Sequence, residues 1–242
     1  MSAAVLLIAR RELGGYFRSM TGYVIAGLVL LIDGLLFNAF VLSGGEMYSA
    51  DVLSNFFYIS FGTTVIASVF ISMRLVAEER QTGTLVLLTS SPVHDWEIIV
   101  GKYLSALAFL AIITIATIYI PALILVNGKV SVGHLAAGYL GLLLVGSATL
   151  AIGVFGSALA RTQVLAAIVS GVIVVSILIA HLVARVTDRP LKDMFMALAL
   201  YARHFPPFQA GAIHLRDVVY YVMVSYVALF AAVRVMEARR WK

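Results

Sequence analysis

IIVGKYLSALAFLAIITIATIYIPALILV, residues 98–126, is an apolar run in which Lys102 carries the one charge. A helix needs about 20 apolar residues to cross a membrane, so this run is long enough to span one. Lys102 lies near its start, where a flexible side chain is expected to reach the lipid headgroups, and Pro121 is expected to kink its far end. Five further runs meet the same criterion: residues 20–42, 56–76, 134–159, 164–184 and 218–236. The sequence therefore predicts six spans.

The composition excludes a soluble globular domain. Of the 242 residues, 62% are hydrophobic and 12% are charged, whereas charged residues make up about 25% of a typical soluble domain. The mean hydropathy is +1.03. Helices satisfy their backbone polar groups internally in lipid, so the predicted class is an all-α membrane protein with a single transmembrane domain. The absence of Cys rules out disulfides and thiolate chemistry.

The basic residues flank the apolar runs and form no patch, which indicates contact with membrane lipids and not with nucleic acid. With the N-terminus inside, eleven of the 17 Lys and Arg residues lie on the cytoplasmic side and six on the other side. Five of those six lie in the longest loop, where the positive-inside rule is weakest. We therefore expect a multi-pass protein of the cytoplasmic (inner) membrane with both termini in the cytoplasm.

Two segments outside the spans have helical patterns of their own. Residues 3–18 place apolar side chains at helical spacing opposite arginines, which is typical of an amphipathic helix in the membrane interface. A frayed basic tail is the alternative for this segment. The extracytoplasmic segment, residues 185–217, contains the stretch Leu191–His204, in which Met194, Leu198 and Tyr201 share one helix face. This pattern predicts a short amphipathic helix on the outer rim before the last span.

Motifs for chemistry are sparse in this sequence. The five His residues are scattered, and none has the spacing of a metal site. Gly101-Lys102 and Gly128-Lys129 lack the upstream glycine and the following Ser or Thr of a phosphate-binding loop, so the chain is not expected to hydrolyse ATP alone. An intramembrane enzyme would need paired catalytic groups at matching depth, and the sequence offers no such pair. We therefore expect no enzymatic activity, no metal ion and no cofactor bound by this chain.

Polar residues inside the predicted spans have two open interpretations. Asp33 is the acidic residue that lies well inside a span, where a charge costs about 2.5–3.5 kcal/mol and needs compensation. In one interpretation Asp33 lines a polar cavity or substrate path. In the other it forms a hydrogen bond to another helix, with Asn38 nearby. Ser60, Thr64 and Ser68 lie along one face of the second span. In one interpretation these hydroxyls face a translocation path. In the other, which is the commoner case, they form hydrogen bonds to their own backbone or to a neighbouring helix.

Small residues form a stripe along the fourth span. They follow a 3-4-3-4 spacing, and they are Gly146, Thr149, Gly153, Gly156 and Ala160. Small side chains allow the backbones of two helices to approach closely. The stripe therefore predicts close packing against another helix, within the same subunit or across a permease dimer.

The cytoplasmic connection, residues 77–97, is too patterned for a simple loop. Its charged residues come first, then a Gly83-Thr84 break and an apolar segment over 85–88. Ser91-Pro92 is typical of a helix start and predicts that the next helix begins there. A short helix with a charged tip and an apolar base can transmit force from a soluble partner. Glu79 is the expected partner contact, and the expected anchors are Leu85, Leu87 and Leu88.

The same connection resembles the region after the second span in the permeases of type-2 ABC transporters. The residues that carry the resemblance are Glu79-x-x-x-Gly83-Thr84-Leu85-x-x-Leu88, Ser91-Pro92-Val93, Glu97-Ile98 and Gly101-Lys102. The likeness extends over the whole chain, to the entry helix, the six spans and the structured outer segment. Residues 208–217 and 237–241 are similar to the gliding-motility-type subgroup of these permeases.

This resemblance implies the membrane subunit of an ATP-driven transporter, with export as the expected direction. Its expected partners are two P-loop ATPase subunits that bind ATP and Mg²⁺, a second permease chain, identical or not, and an extracytoplasmic accessory protein. The residues that it assigns to ATPase coupling are Glu78, Glu79, Arg80, Gly83, Thr84, Leu85 and Pro92. The alternative is a structural or assembly membrane protein that anchors a cytoplasmic or periplasmic partner without transport.

Overall fold

A computed structural model of the chain describes residues 3–40, 48–84, 93–127 and 131–240. These described residues form helices and contain no strand. The helices are α1 Ala3–Arg18, α2 Met20–Phe40, α3 Ser49–Ser72, α4 Ala77–Gln81, α5 Asp95–Ala116, α6 Tyr119–Asn127, α7 Val132–Leu159, α8 Gln163–Val186, α9 Leu191–Leu198, α10 Pro206–Gln209 and α11 Leu215–Arg240.

Six segments of the described chain are long and apolar enough to cross a membrane. They are α2, α3 with its continuation through α4, α5 with most of α6, α7, α8 and α11. The predicted fold class, an all-α membrane protein with six membrane-spanning segments, is confirmed.

The third span is two helices and not one. The break lies at Thr117 and Ile118, because Pro121 has no N–H to donate to the Thr117 carbonyl and its ring would clash with that carbonyl. Ile120 donates to the Thr117 carbonyl instead, at 3.0 Å, over three residues rather than four. The effect of Pro121 is therefore felt four residues upstream, which places the break closer to the middle of the span than the expected kink.

Two helix starts differ from their predicted positions. α3 begins at Ser49, before the predicted start of the second span at Phe56. α5 begins at Asp95 with His94 in extended conformation before it, and the His94 backbone N–H donates to Glu97 Oε2 at 3.0 Å. The helix start expected at Ser91-Pro92 is therefore wrong, because the carboxylate of Glu97 in the first turn satisfies the His94 N–H and fixes the start there.

α7 is the central helix of the bundle and has the largest share of buried residues, followed by α3, whereas few residues of α2, α8 and α11 are buried. Two apolar cores surround it. One contains Tyr16, Ile71, Tyr103, Phe109 and Leu150, among others. The other is rich in aromatic residues and contains Phe56, Phe57, Phe61, Phe205, Phe208 and Tyr221.

The small residues of α7 pack within this chain, against three different helices. A methyl group at Gly146 would overlap Leu110 of α5, one at Gly153 would overlap Ser72 of α3, and one at Gly156 would overlap Ser170 of α8. The predicted stripe is therefore not a single flat interface. Close approach on several sides is what allows α7 to occupy the centre.

The bundle has two distinct ends. α4, the first turn of α5 and both described chain termini lie at one end, which we call the α4 end. Val5 of α1 lies against Gly101 of α5 there, and Arg239 of α11 donates to the Leu159 carbonyl at the end of α7, at 2.8 Å. The other end contains α9 and α10 and is called the α10 end. There Gln209 donates to the Ser54 carbonyl at 3.0 Å, and its own carbonyl contacts His134 Nε2 at 2.7 Å.

The outer helix expected over residues 191–204 ends at Leu198 instead. α9 exposes Met194 and Leu198, so the apolar face predicted from the spacing does not pack into the bundle. The chain that follows is buried: Leu200, Phe205 and Phe208 have no exposed surface. The predicted short helix is therefore present as α9 but ends six residues early, and the irregular apolar segment that follows it closes the α10 end.

We predict that Gly156→Ala destabilises the protein by about 1–3 kcal/mol, the usual effect of overpacking. The new methyl group would lie 3.0 Å from the Ser170 backbone nitrogen, which cannot move aside without displacing α8. Gly171→Ala is the matched control, since a methyl group there meets nothing within 4 Å and alanine favours the helix. Thermal unfolding of the purified proteins measures both effects. Equal unfolding temperatures for the two variants would contradict the packing assigned to α7.

Candidate functional site

Lys102 of α5 forms the most buried charged contact at the α4 end. Its side chain is 2% exposed, and its Nζ lies 2.7 Å from Glu79 Oε1 of α4 and 3.3 Å from Glu12 Oε1 of α1. Three elements far apart in sequence therefore meet at one ammonium group. We call Glu12, Glu79 and Lys102 the charged triad.

Because Lys102 lies near the start of the third span, its side chain was expected to reach the lipid headgroups. It does not do so in the structure. Moving an ammonium ion out of water costs several kcal/mol, and this is offset only by close anionic partners with good geometry. Here α1 and α4 supply those partners, so the side chain points into the protein. The lysine in the apolar run thus indicated a buried ion cluster, which the sequence analysis did not recognise.

The base of α4 is fixed to the end of α7 by hydrogen bonds. Ser157 Oγ accepts from the backbone N–H groups of Val76 and Ala77, at 3.1 and 3.0 Å, and donates to the Met73 carbonyl at 3.1 Å. Arg80 donates to the carbonyls of Ala158, at 3.2 Å, and Ala160. These bonds satisfy the backbone where α3 ends and α4 begins. They also couple any movement of α4 to the central helix.

A pocket of about 230 Å³ lies beside the charged triad, between α1 and α4. Tyr16 lines it and donates to the Ile71 carbonyl at 3.4 Å, and burial raises the pKa of the Tyr16 phenol above its ordinary value. Arg74 in its wall is already paired with Glu78, at 2.8 and 3.1 Å. Glu79 Oε2 finds no hydrogen-bond partner among the described residues. Three carboxylates, of Glu12, Glu78 and Glu79, and two cations therefore line this pocket.

The tip of α4 is exposed. Residues 81–84 all face solvent, and Gly83 has a φ of +74°, a conformation that side chains resist. Thr82 closes the helix by donating to the Glu78 carbonyl at 3.0 Å. The Gly83-Thr84 break predicted from the sequence is therefore present as a tight turn at the end of α4.

The residues assigned to ATPase coupling divide into inner and outer groups. Glu78, Glu79 and Arg80 all bond within this chain, whereas Gly83 and Thr84 are exposed. Glu79 was expected to contact the partner ATPase. Its side chain instead lies inward, because its carboxylate is paired with Lys102. The remaining predicted residues of this connection lie outside the described residues, and they are Leu85, Leu87, Leu88, Ser91 and Pro92.

Asp33 bonds the next helix and not Asn38. Thr63 Oγ1 of α3 lies 2.7 Å from Asp33 Oδ1, and Asp33 is 2% exposed. Asn38 is exposed on a different side of α2, because five residues turn a helix by about 140° beyond one full turn. The expected neighbour of Asp33 was therefore wrong, while the expected interhelix bond is present.

The hydroxyls along α3 are buried against the bundle. Ser68 donates to the Thr64 carbonyl of its own helix at 2.7 Å. Thr64 contacts the position of Gly146 on α7, and Ser60 is 1% exposed. Within the described part of this chain the row is buried between helices, with Thr64 against α7, and it lines no open path.

Sequence reasoning missed Glu12 and Ser157, and it misjudged Lys102. Lys102 carried a signal, since a charge inside an apolar run needs a partner. Ser157 carried none, because its role depends on the meeting of α4 and α7. No group of three or more His, Cys, Asp or Glu residues in the described part of the chain has an arrangement that could hold a metal ion.

The six apolar segments, with α4 held by charges at one end, define a multi-pass helical membrane protein. A family model described as ABC-2 family transporter protein matches residues 10–233, so the chain belongs to the ABC-2 transporter family. The resemblance to type-2 ABC permeases is confirmed, and membership implies association with an ABC ATPase. No curated protein matches the chain.

We predict that Lys102→Met destabilises the protein by about 3 kcal/mol, at the lower end of the range for breaking a buried ion pair. The lower end applies because the Glu79 and Glu12 side chains are 18% and 26% exposed. Adding Glu79→Gln should recover part of the loss, since it removes the carboxylate left without its cation. Thermal unfolding in a fixed detergent measures these effects.

The control is Arg234→Met, which breaks a pair with Glu237 at 3.0 Å whose side chains are 64% and 43% exposed. Exposed pairs contribute about 1 kcal/mol or less. Equal losses for Lys102→Met and Arg234→Met would contradict the assignment of a buried triad.

Proposed function

We propose that this chain is the permease subunit of an ABC exporter, and that α4 receives movement from a separate ATPase and passes it to the bundle. The observation that carries the proposal is the contrast along α4. Its tip, residues 81–84, is exposed, whereas its base is bonded to α7 and, through the charged triad, to α5 and α1. An exposed tip on a fixed base is the arrangement that a force-transmitting contact requires.

The charged triad is the proposed transmission element. Charge-assisted hydrogen bonds are stronger than neutral ones, and partial burial shields them from salt. A displacement of α4 therefore moves Lys102 with Glu79, and α1 follows through Glu12. In this proposal Glu79 transmits movement and does not contact the ATPase. Glu79→Arg would then place two cations together and disturb the permease itself, so it is a poor probe of the interface.

The proposed complex has two ATPase subunits, which bind ATP and Mg²⁺, and a second permease chain in the same membrane. The α4 end, where the start of α1 and the end of α11 also lie, is assigned to the cytoplasm, because the proposed ATPase partner binds ATP and can reach the tip only from that side. The positive-inside count supports the same orientation and a place in the cytoplasmic membrane. An extracytoplasmic accessory protein and membership of the gliding-motility-type subgroup stay predictions from the sequence.

We predict that Thr84→Trp weakens association with the ATPase and lowers ATPase activity in the complex by tenfold or more. The bulky ring would obstruct the tip, while the permease itself should stay folded because Thr84 is exposed. Co-purification with the ABC ATPase of the complex, followed by ATP hydrolysis in liposomes, measures both effects.

Asp188→Trp is the matched control, since Asp188 is also exposed but lies in the segment after α8, toward the α10 end. It should leave co-purification and hydrolysis unchanged. Wild-type association for Thr84→Trp, or equal losses for both variants, would contradict the proposed contact at the tip.

A further inference from the structure

Asp33 occupies a position on α2 where an apolar residue is expected. α2 buries Gly22, Ile25, Asp33 and Phe37 along one side, and this side packs against α3 and α1. Asp33 is the fourteenth of the 21 residues in the helix, so it lies about 20 Å from the start of α2 at about 1.5 Å per residue. The carboxyl group is thus deep within a span and turned away from lipid.

The surroundings of Asp33 provide hydroxyl groups and no cation. α3 contributes Ser60 and Thr63, while the titratable groups that interact with Asp33 from other helices are the phenols of Tyr119 on α6 and Tyr139 on α7. None of the ion pairs in the described part of the chain includes Asp33. An ionised carboxylate in an apolar interior without a cation is strongly disfavoured against the neutral acid.

The hydroxyl of Thr63 has two acceptors within reach. Its Oγ1 lies 2.7 Å from Asp33 Oδ1 and 3.1 Å from the Ser60 carbonyl oxygen. A hydroxyl has one proton and donates to one acceptor at a time. If Asp33 is protonated, it donates to Thr63 Oγ1 and Thr63 donates to the Ser60 carbonyl, so both contacts are hydrogen bonds. If Asp33 is ionised, Thr63 donates to it and the contact with the Ser60 carbonyl is lost as a hydrogen bond.

We propose that Asp33 is a proton-binding site, which holds its proton at neutral pH and donates it through Thr63 to the Ser60 carbonyl. The chain of bonds runs from the carboxyl O–H to the hydroxyl and from the hydroxyl to the carbonyl. The ligand is therefore a proton, and its binding holds α2 against α3. When α2 separates from α3, the carboxyl group meets water and releases the proton to it. Closing the contact takes a proton up again.

The inference is tested by infrared spectroscopy of the full chain in lipid at neutral pH. The carbonyl stretch of a protonated carboxylic acid should appear in the difference between wild type and Asp33→Asn. It should be absent from the difference between wild type and Asp193→Asn, whose side chain is 66% exposed. Thr63→Val should shift the band, because the acid loses its acceptor. Asparagine is a fair replacement, since its N–H can donate to Thr63 as the acid does.

Absence of that band from the Asp33→Asn difference spectrum, with both proteins folded, would overturn the proposal by showing that Asp33 is ionised. Thermal unfolding gives an independent readout. The unfolded chain exposes Asp33 to water and gives up the proton that the folded chain keeps, so rising pH should destabilise wild type relative to Asp33→Asn. Parallel pH profiles for the two proteins would likewise contradict a bound proton.

Discussion

An ammonium group cannot be buried without anionic partners, and Lys102 imposes this constraint on the α4 end of the bundle. The lysine is 2% exposed on α5, and its two carboxylates come from α1 and α4. The entry helix and the connection after the second span are therefore fixed to the same point of the third span. The arrangement of the α4 end depends on this one cluster, and the proposed path of force passes through it.

In the proposed mechanism, the central position of α7 determines which helices receive that force next. Ser157 and the carbonyls at the end of α7 receive α4, and the glycines farther along α7 bring α3, α5 and α8 into close contact with it. A helix packed this closely on several sides moves with its neighbours, because dense interiors transmit displacement. At the α10 end, buried aromatic residues and Gln209 hold the irregular segment against α3 and α7. We infer that α3, α5, α7 and α8 respond to α4 together.

The sequence was sufficient for the fold class because apolar run length and backbone satisfaction in lipid are local properties. It was also sufficient for the close packing of Gly146, Gly153 and Gly156, since only small residues allow such approach. It was insufficient for the partners of Asp33 and Lys102, because Thr63, Glu12 and Glu79 come from other elements whose positions depend on tertiary packing. The buried role of Ser157 had no local signal at all, and the break at Thr117 lay four residues before its cause at Pro121.

The most direct test of the central claim is a distance measurement by electron paramagnetic resonance between spin labels on α4 and α1. The native chain contains no Cys, so labels at Glu78→Cys, on α4 but outside the tip, and at Arg10→Cys on α1 are the only ones on the permease. In the complex with its ATPase, the distance between the labels should stay constant when ATP is added, because the charged triad moves α1 with α4. In the Lys102→Met, Glu79→Gln background the same addition should change the distance. A change of equal size in both backgrounds would contradict transmission through the triad.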